Sequence, residues 1–179
     1  MNEYNHNRCG PSRIHRAFAS AKEQHRPAFI AYVTCGDPTL DRTRQLTVAF
    51  AGAGVDILEL GGPFTDPMAD GTANREAALR ALAQGVTLRH VLRATEGLRG
   101  EGFALPIVLF TYYNPVFAYG VEKFAVDAVS AGVDGVLLVD VPVEEAHEFK
   151  PAFDEAGLGT IFLVAPTTDD RRLPQILEL

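Results

Sequence analysis

Short runs that are mostly apolar rather than alternating recur along this chain, and stretches with a helical apolar stripe separate them. The runs fall at residues 28–34, 56–60, 106–110, 135–139 and 160–164. A strand with one face in water alternates apolar and polar side chains. Runs that are mostly apolar without alternation therefore point to parallel strands covered on both faces. Between them, residues 40–53 place Leu46, Ala49, Phe50 and Ala53 on one helical face. Residues 121–131 do so with Phe124, Ala125, Ala128 and Val129, and residues 144–156 with Ala146, Phe149 and Phe153. An opening helix over residues 12–23 has Ser12 as its candidate N-cap. Thr87 has the same role for a later helix carrying Leu88, Val91, Leu92 and Leu98. A last helical segment covers residues 169–179. Strand and helix repeated with short connections specify an α/β fold with a parallel sheet.

A weak internal repeat marks the joins. Ala53-Gly54-Val55-Asp56 and Ala131-Gly132-Val133-Asp134 each lead from a helix into a strand, and Ala156-Gly157-Leu158 is a looser third copy. Glycine ends a helix by taking the left-handed conformation, so the repeat has a structural explanation. Two connections stand out. Residues 61–74 are rich in Gly, Pro, Asp and Thr, and residues 111–120 carry three tyrosines with one Asn and one Pro. Long loops after the C-terminal ends of parallel strands build active sites.

Composition narrows the function classes. The 179 residues are 47% hydrophobic with mean hydropathy +0.03, which suits one domain with a sizeable core. We expect residues 12–179 to form that domain and residues 1–11 to be a flexible N-terminal segment. Net charge is −7, from 23 acidic and 16 basic residues, which argues against docking on nucleic acid or an anionic membrane. No apolar run reaches the roughly 18 residues of a membrane span. Residues 1–16 are polar and lack a signal core, so a cytoplasmic location is expected. Two cysteines, Cys9 and Cys35, make neither a disulfide framework nor a metal spacing. The five histidines are scattered, no Walker-type loop is present, and Gly52-Ala53-Gly54 precedes a strand instead of following one. No metal or nucleotide cofactor is inferred.

Four carboxylates stand at strand ends or in the loops after them. Glu59 interrupts an otherwise apolar strand. It is either a strand-end residue facing solvent or a carboxylate at the mouth of a barrel, where apolar neighbours raise its pKa and suit it to proton transfer. Asp66 and Asp70 lie in Thr65-Asp66-Pro67-Met68-Ala69-Asp70-Gly71, where Asp-Pro and Asp-Gly are also ordinary turn dipeptides. Asp70, eleven residues after Glu59, makes a candidate acid–base partner for it. Asp140 follows a strand directly and reads equally as a cap.

Taken in order, five motifs resemble the tryptophan synthase alpha subunit family. They are Ala31-Tyr32-Val33-Thr34-Cys35-Gly36-Asp37-Pro38, the run Ala53 to Gly71 through Glu59-Leu60-Gly61-Gly62-Pro63-Phe64, Tyr112-Tyr113-Asn114-Pro115, Asp140-Val141-Pro142-Val143-Glu144-Glu145, and Phe162-Leu163-Val164-Ala165-Pro166-Thr167. The resemblance runs from about residue 12 to the end, and its second motif is very specific. It implies a (β/α)8 barrel of the TIM type. It also implies a lyase that cleaves indole-3-glycerol phosphate into indole and glyceraldehyde 3-phosphate in tryptophan biosynthesis. Glu59 then falls on the catalytic glutamate that shuttles protons at indole C3 and at the substrate hydroxyl. Asp70 falls on the carboxylate that accepts from the indole N–H. Tyr32, Phe110, Tyr112, Leu137, Val139 and Leu163 fall on positions at the indole pocket. Asp66, Pro67, Asn114 and Pro142 match loop positions that face the beta subunit in an alpha2-beta2 assembly. Pyridoxal phosphate belongs to that partner, and the alpha chain needs no cofactor.

The chain departs from the family pattern at several places. Gly62 stands where a branched aliphatic is usual, Thr65 replaces a usual Ser, and Thr72-Ala73-Asn74-Arg75 replaces Pro-x-Ile-Gln beside Asp70. Five strand–helix units are counted, whereas a barrel of this type has eight strands in about 250 residues. The expectation is an incomplete barrel without the last three strands and their phosphate-binding loops. The alternative reading is therefore a catalytically incomplete or non-catalytic module that binds the beta subunit.

Overall fold

The computed structural model describes residues 12–179, and the N-terminal segment 1–11 lies outside the described residues. The elements run in the order α1 (Arg13–Glu23), β1 (Ile30–Thr34), α2 (Leu40–Gly52), β2 (Ile57–Gly61), α3 (Thr72–Ala83), α4 (Leu88–Gly100) and β3 (Ile107–Thr111). There follow α5 (Tyr113–Tyr119), α6 (Val121–Ser130), β4 (Gly135–Leu138), a 3-10 turn (Val143–Glu148), α7 (Lys150–Ala156), β5 (Gly159–Ile161) and α8 (Arg172–Leu177). The five strands form one parallel sheet in the sequential order β1-β2-β3-β4-β5. A doubly wound sheet reverses its order partway, whereas a sheet that advances strand by strand is the arc of a barrel wall.

The period of two along each strand separates two cores. Leu58, Leu60, Ile107, Leu109, Val136 and Leu138 point outward into the large cluster formed with the helices. Ile57, Val108 and Leu137 point to the concave side, with Phe110, Val139 and Ile161 beside them. Helix α1 closes the base of that concave face through Ile14 and Ala17. Ser12 caps α1 as expected, accepting from the His15 backbone N–H at 3.2 Å. Parallel register lines up two concave rows: Tyr32, Glu59, Val108, Gly135 and Gly159, then Thr34, Gly61, Phe110, Leu137 and Ile161.

Several local expectations are corrected. In α2 the buried positions are Thr43 and Thr47, whereas Leu46 is 42% exposed and Ala49 and Ala53 face solvent. The Thr43 hydroxyl accepts from Gly36 N–H and donates to the Thr39 carbonyl, and Thr47 donates to the Arg44 carbonyl. Hydroxyls satisfied in this way are buried at little cost, which an apolar stripe alone does not register. Val129 sits at the edge of the α6 stripe and is 37% exposed. Residues 144–156 are not one helix. The chain breaks at Phe149, and Pro151 falls in the first turn of α7, the place where a missing N–H costs nothing. The segment expected as a loop at 111–120 folds as α5, with Pro115 likewise in its first turn. Strand β5 stops at Ile161, so residues 162–164 leave the sheet. Helix α3 is an element that the sequence pattern does not single out.

Candidate active site

Glu59 occupies the centre of β2. Its neighbours Leu58 and Leu60 are fully buried on the outer side, so its carboxylate is turned to the concave face between Tyr32 of β1 and Val108 of β3. No described residue donates a hydrogen bond to it, and burial raises its pKa above the ordinary carboxylate value. A half-buried acid without a fixed donor is free to exchange a proton with a ligand. Glu59 is half-buried on the concave face of the sheet.

Asp70 lies two residues before α3, in the loop that follows β2. Its Oδ2 accepts from the Tyr112 hydroxyl at 2.8 Å, and its Oδ1 accepts from Asn74 Nδ2 at 3.5 Å. The Tyr112 hydroxyl also accepts from the Ala69 backbone N–H at 3.0 Å, and its ring packs on Phe64 with centroids 5.2 Å apart. Burial, reinforced by the bond to Asp70, pushes the Tyr112 phenol up to about 12. Tyr32 stands opposite Glu59 in the strand register. Burial raises its phenol first, and the charges of Asp70 and Glu59 raise it further, so both carboxylates act on one side chain. Its hydroxyl bonds to Thr34 Oγ1 at 3.1 Å and lies directly over Gly61, where it leaves no room for a Cβ. A side chain at 61 would displace the Tyr32 ring from this position.

The apolar residues expected at a flat-ring pocket divide into two groups. Tyr32 meets Phe110 edge-on with centroids 5.2 Å apart, and Leu137 and Val139 adjoin Phe110 on the same concave face. Tyr112 is 3% exposed and is turned to the loop. Leu163 is 60% exposed and, with Val139, lines an open cleft of about 760 Å3 between the segments after β4 and β5, away from Glu59. It follows a strand that has already ended, which is why it does not join the wall.

Asp66, Asn114 and Pro142 are exposed, and Pro67 is half-buried, all in segments that follow the C-terminal strand ends. Asp66 accepts from the neighbouring Thr65 hydroxyl at 2.6 Å, which is turn chemistry. Asp140 is a cap: its Oδ1 accepts from Tyr113 N–H at 2.9 Å and so starts α5 from the neighbouring strand end. Among the described residues no cluster of His, Cys, Asp and Glu is arranged to hold a metal ion. Cys35 is fully buried, and burial pushes its thiol up to about 12, so it is no nucleophile at neutral pH. Among the described residues no helix is long and apolar enough to cross a membrane. Asn74 is the site residue that sequence reasoning missed. Its signal was present as a departure from the family pattern one turn after Asp70, a spacing that brings two helix-start side chains together.

The family model described as tryptophan synthase alpha chain matches residues 18–179. The tryptophan synthase alpha chain of Geotalea uraniireducens is 48% identical over 168 residues, covering 94% of this chain and 62% of the relative. That of Citrifermentans bemidjiense is 49% identical over 165 residues, covering 92% and 61%. The crystal structure of the alpha subunit from Legionella pneumophila superposes with a TM-score of 0.90 at 37% identity, over 93% of this chain and 64% of that one. A tryptophan synthase complex from Pyrococcus furiosus gives a TM-score of 0.79 at 42% identity, over 83% and 61%. This chain thus spans about three-fifths of the length of the relatives it matches. By the extent of the family match and by identity over nearly its whole length, it belongs to the tryptophan synthase alpha chain family.

Proposed function

We propose that this chain carries the reacting face for cleavage of indole-3-glycerol phosphate to indole and glyceraldehyde 3-phosphate. The observation that carries the proposal is the desolvated Glu59 carboxylate, without a fixed donor, sharing the concave face with Tyr32 while Asp70 is held at its rim. The bond from indole C3 to the side chain breaks only after C3 is protonated, since the ring then accepts the electron pair. In this reading Glu59 gives its proton to C3 and takes one from the hydroxyl of the adjoining carbon. As that carbon becomes the aldehyde, the bonding electrons return to the ring. Asp70 accepts from the indole N–H and stabilises the positive charge that develops on the nitrogen. Tyr32, Phe110, Leu137 and Val139 supply the flat apolar wall.

The reading brings with it a cytoplasmic location and no cofactor on this chain. Pyridoxal phosphate belongs to a beta subunit docked at Asp66, Pro67, Asn114 and Pro142. Support for that partner comes from the solved Pyrococcus furiosus relative, described as an alpha2-beta2 complex. The test is indole release from indole-3-glycerol phosphate. Glu59→Gln is expected to lower the rate by on the order of 10²- to 10⁴-fold, and an unchanged rate removes Glu59 as the base. A second reading, a module that binds the beta subunit without catalysis, draws on the exposure of Asp66, Asn114 and Pro142. It predicts that the chain alters the serine-dependent activity of a beta subunit while releasing no indole.

A further inference from the structure

We infer that Tyr112 is a positioning residue for Asp70, holding that carboxylate and the loop backbone beside it through one hydroxyl, and is not a contact for the indole ring. The inference rests on the reading of Asp70 as a reacting group. The connection between β2 and α3 has no regular structure, and Asp66, Met68 and Ala69 within it are exposed, Met68 by 94%. Asp70 nevertheless has to be held to a fraction of an ångström if it is to meet one ring N–H. Gly62 N–H is tied to the Phe110 carbonyl at 2.8 Å, which fixes the start of the segment to β3. Beyond Gly62, the hydrogen bonds that tie residues 63–71 to described residues outside α3 both end on the Tyr112 hydroxyl: the bond from Ala69 N–H and the bond to Asp70 Oδ2.

Tyr112 is suited to this role. It directly follows β3, it is 3% exposed, and its ring is packed by Phe64 from the same loop. The next residue is anchored in turn, with Tyr113 N–H held by Asp140. Asp70 is thereby referenced to the sheet, and through the sheet to Glu59 on β2. The phenol has a single proton, and that proton is committed to Asp70. Asn74 engages the other carboxylate oxygen at a longer 3.5 Å from the first turn of α3, so each oxygen has a donor.

Tyr112→Phe removes the hydroxyl and keeps the ring. In the 179-residue chain, backbone amide exchange followed by NMR is expected to show Ala69 exchanging at least about tenfold faster, with the Leu109 and Val108 amides of β3 unchanged. In indole release, kcat is expected to fall by about ten- to a hundredfold with KM within about twofold, the signature of a misplaced reacting group rather than a lost binding surface. Unchanged exchange at Ala69 overturns the inference, as does a raised KM at constant kcat, which is the behaviour of a pocket wall. Faster exchange throughout β3 also overturns it, because it marks a packing role. If the wild-type chain releases no indole, the proposed function fails while the exchange comparison still decides whether Tyr112 holds the loop.

Discussion

A carboxylate with apolar neighbours and no donor is an unfavourable element of a fold, and Glu59 contributes a pH dependence of definite sign. Burial raises its pKa in the folded state, so the unfolded chain loses this proton first as pH rises. The contribution to stability is complete below the ordinary carboxylate range and is lost as pH climbs through the raised value. Glu59→Gln carries no such loss. It is expected to melt about 1–2 °C above the wild type at pH 8 and level with it near pH 4, measured by thermal unfolding across pH. A variant that is inactive yet more stable marks a residue kept for chemistry. Glu59 was legible in the sequence because a lone acid inside an apolar run contradicts its surroundings. The role of Tyr112 was not, because the bond that defines it joins positions 42 residues apart. Asp140 shows the same limit: as a strand-end carboxylate it resembled a site residue, and it caps a helix that belongs to the preceding strand's connection.

At the scale of elements, the repeated Ala-Gly-Val-Asp joins do more than end helices. Gly54 and Gly132 adopt φ of 86° and 89°, as left-handed helix ends require. The aspartates that follow latch neighbouring strands. Asp56 accepts from Phe29 N–H at 2.7 Å and from Arg26 in a two-pronged pair at 2.6 and 2.8 Å. Asp134 accepts from Ile107 N–H at 2.8 Å, from Arg99 at 2.6 Å and from Arg13 of α1 at 2.9 Å. Each pins the base of the preceding strand in the sheet, and the third copy, which lacks the aspartate, precedes the short strand β5. The Asp134–Arg99 pair is largely buried, with side chains 7% and 13% exposed. Asp134→Ala is therefore expected to cost about 3 kcal/mol in denaturant unfolding, mostly because Arg99 loses its counter-charge. Asp56→Ala is expected to cost about 1 kcal/mol, since Arg26 is 37% exposed and screened. The bond from Arg26 holds the Asp56 carboxyl down at about 2, so its contribution is present above pH 4 and disappears as pH falls toward 2. The glycines were legible as helix ends because their conformational need is local. The latches were not, because the N–H groups they satisfy belong to strands nearly thirty residues earlier.

For the molecule as a whole, the sheet explains both what the sequence pattern specified and where it stopped. Strands that are mostly apolar on both faces demand cover on both, and the described chain supplies it unevenly. Helices bury the outer side of β2, β3 and β4, whereas on the concave side α1 packs only at the base. Both flanks of the sheet are also uncovered. Ile30 at the start of β1 is 41% exposed and Phe29 just before it 55%, and beyond β5 Leu163 and Val164 are 60% and 52% exposed. The outer edges of β1 and β5 pair with no described strand. Unpaired parallel edges beside exposed apolar side chains recruit other strands. The 179-residue chain on its own is therefore expected to self-associate as its concentration rises, and to bind a hydrophobic dye such as ANS. Ile30→Lys places a charge on the concave side of an edge strand without touching Glu59 or Asp70. It is expected to shift the sedimentation profile toward monomer and to reduce dye binding, by the means natural edge strands use to stay unpaired. A chain that sediments as a monomer at every concentration and binds no dye shows instead that these edges are sealed, and the exposed flank of β1 then has no part in assembly.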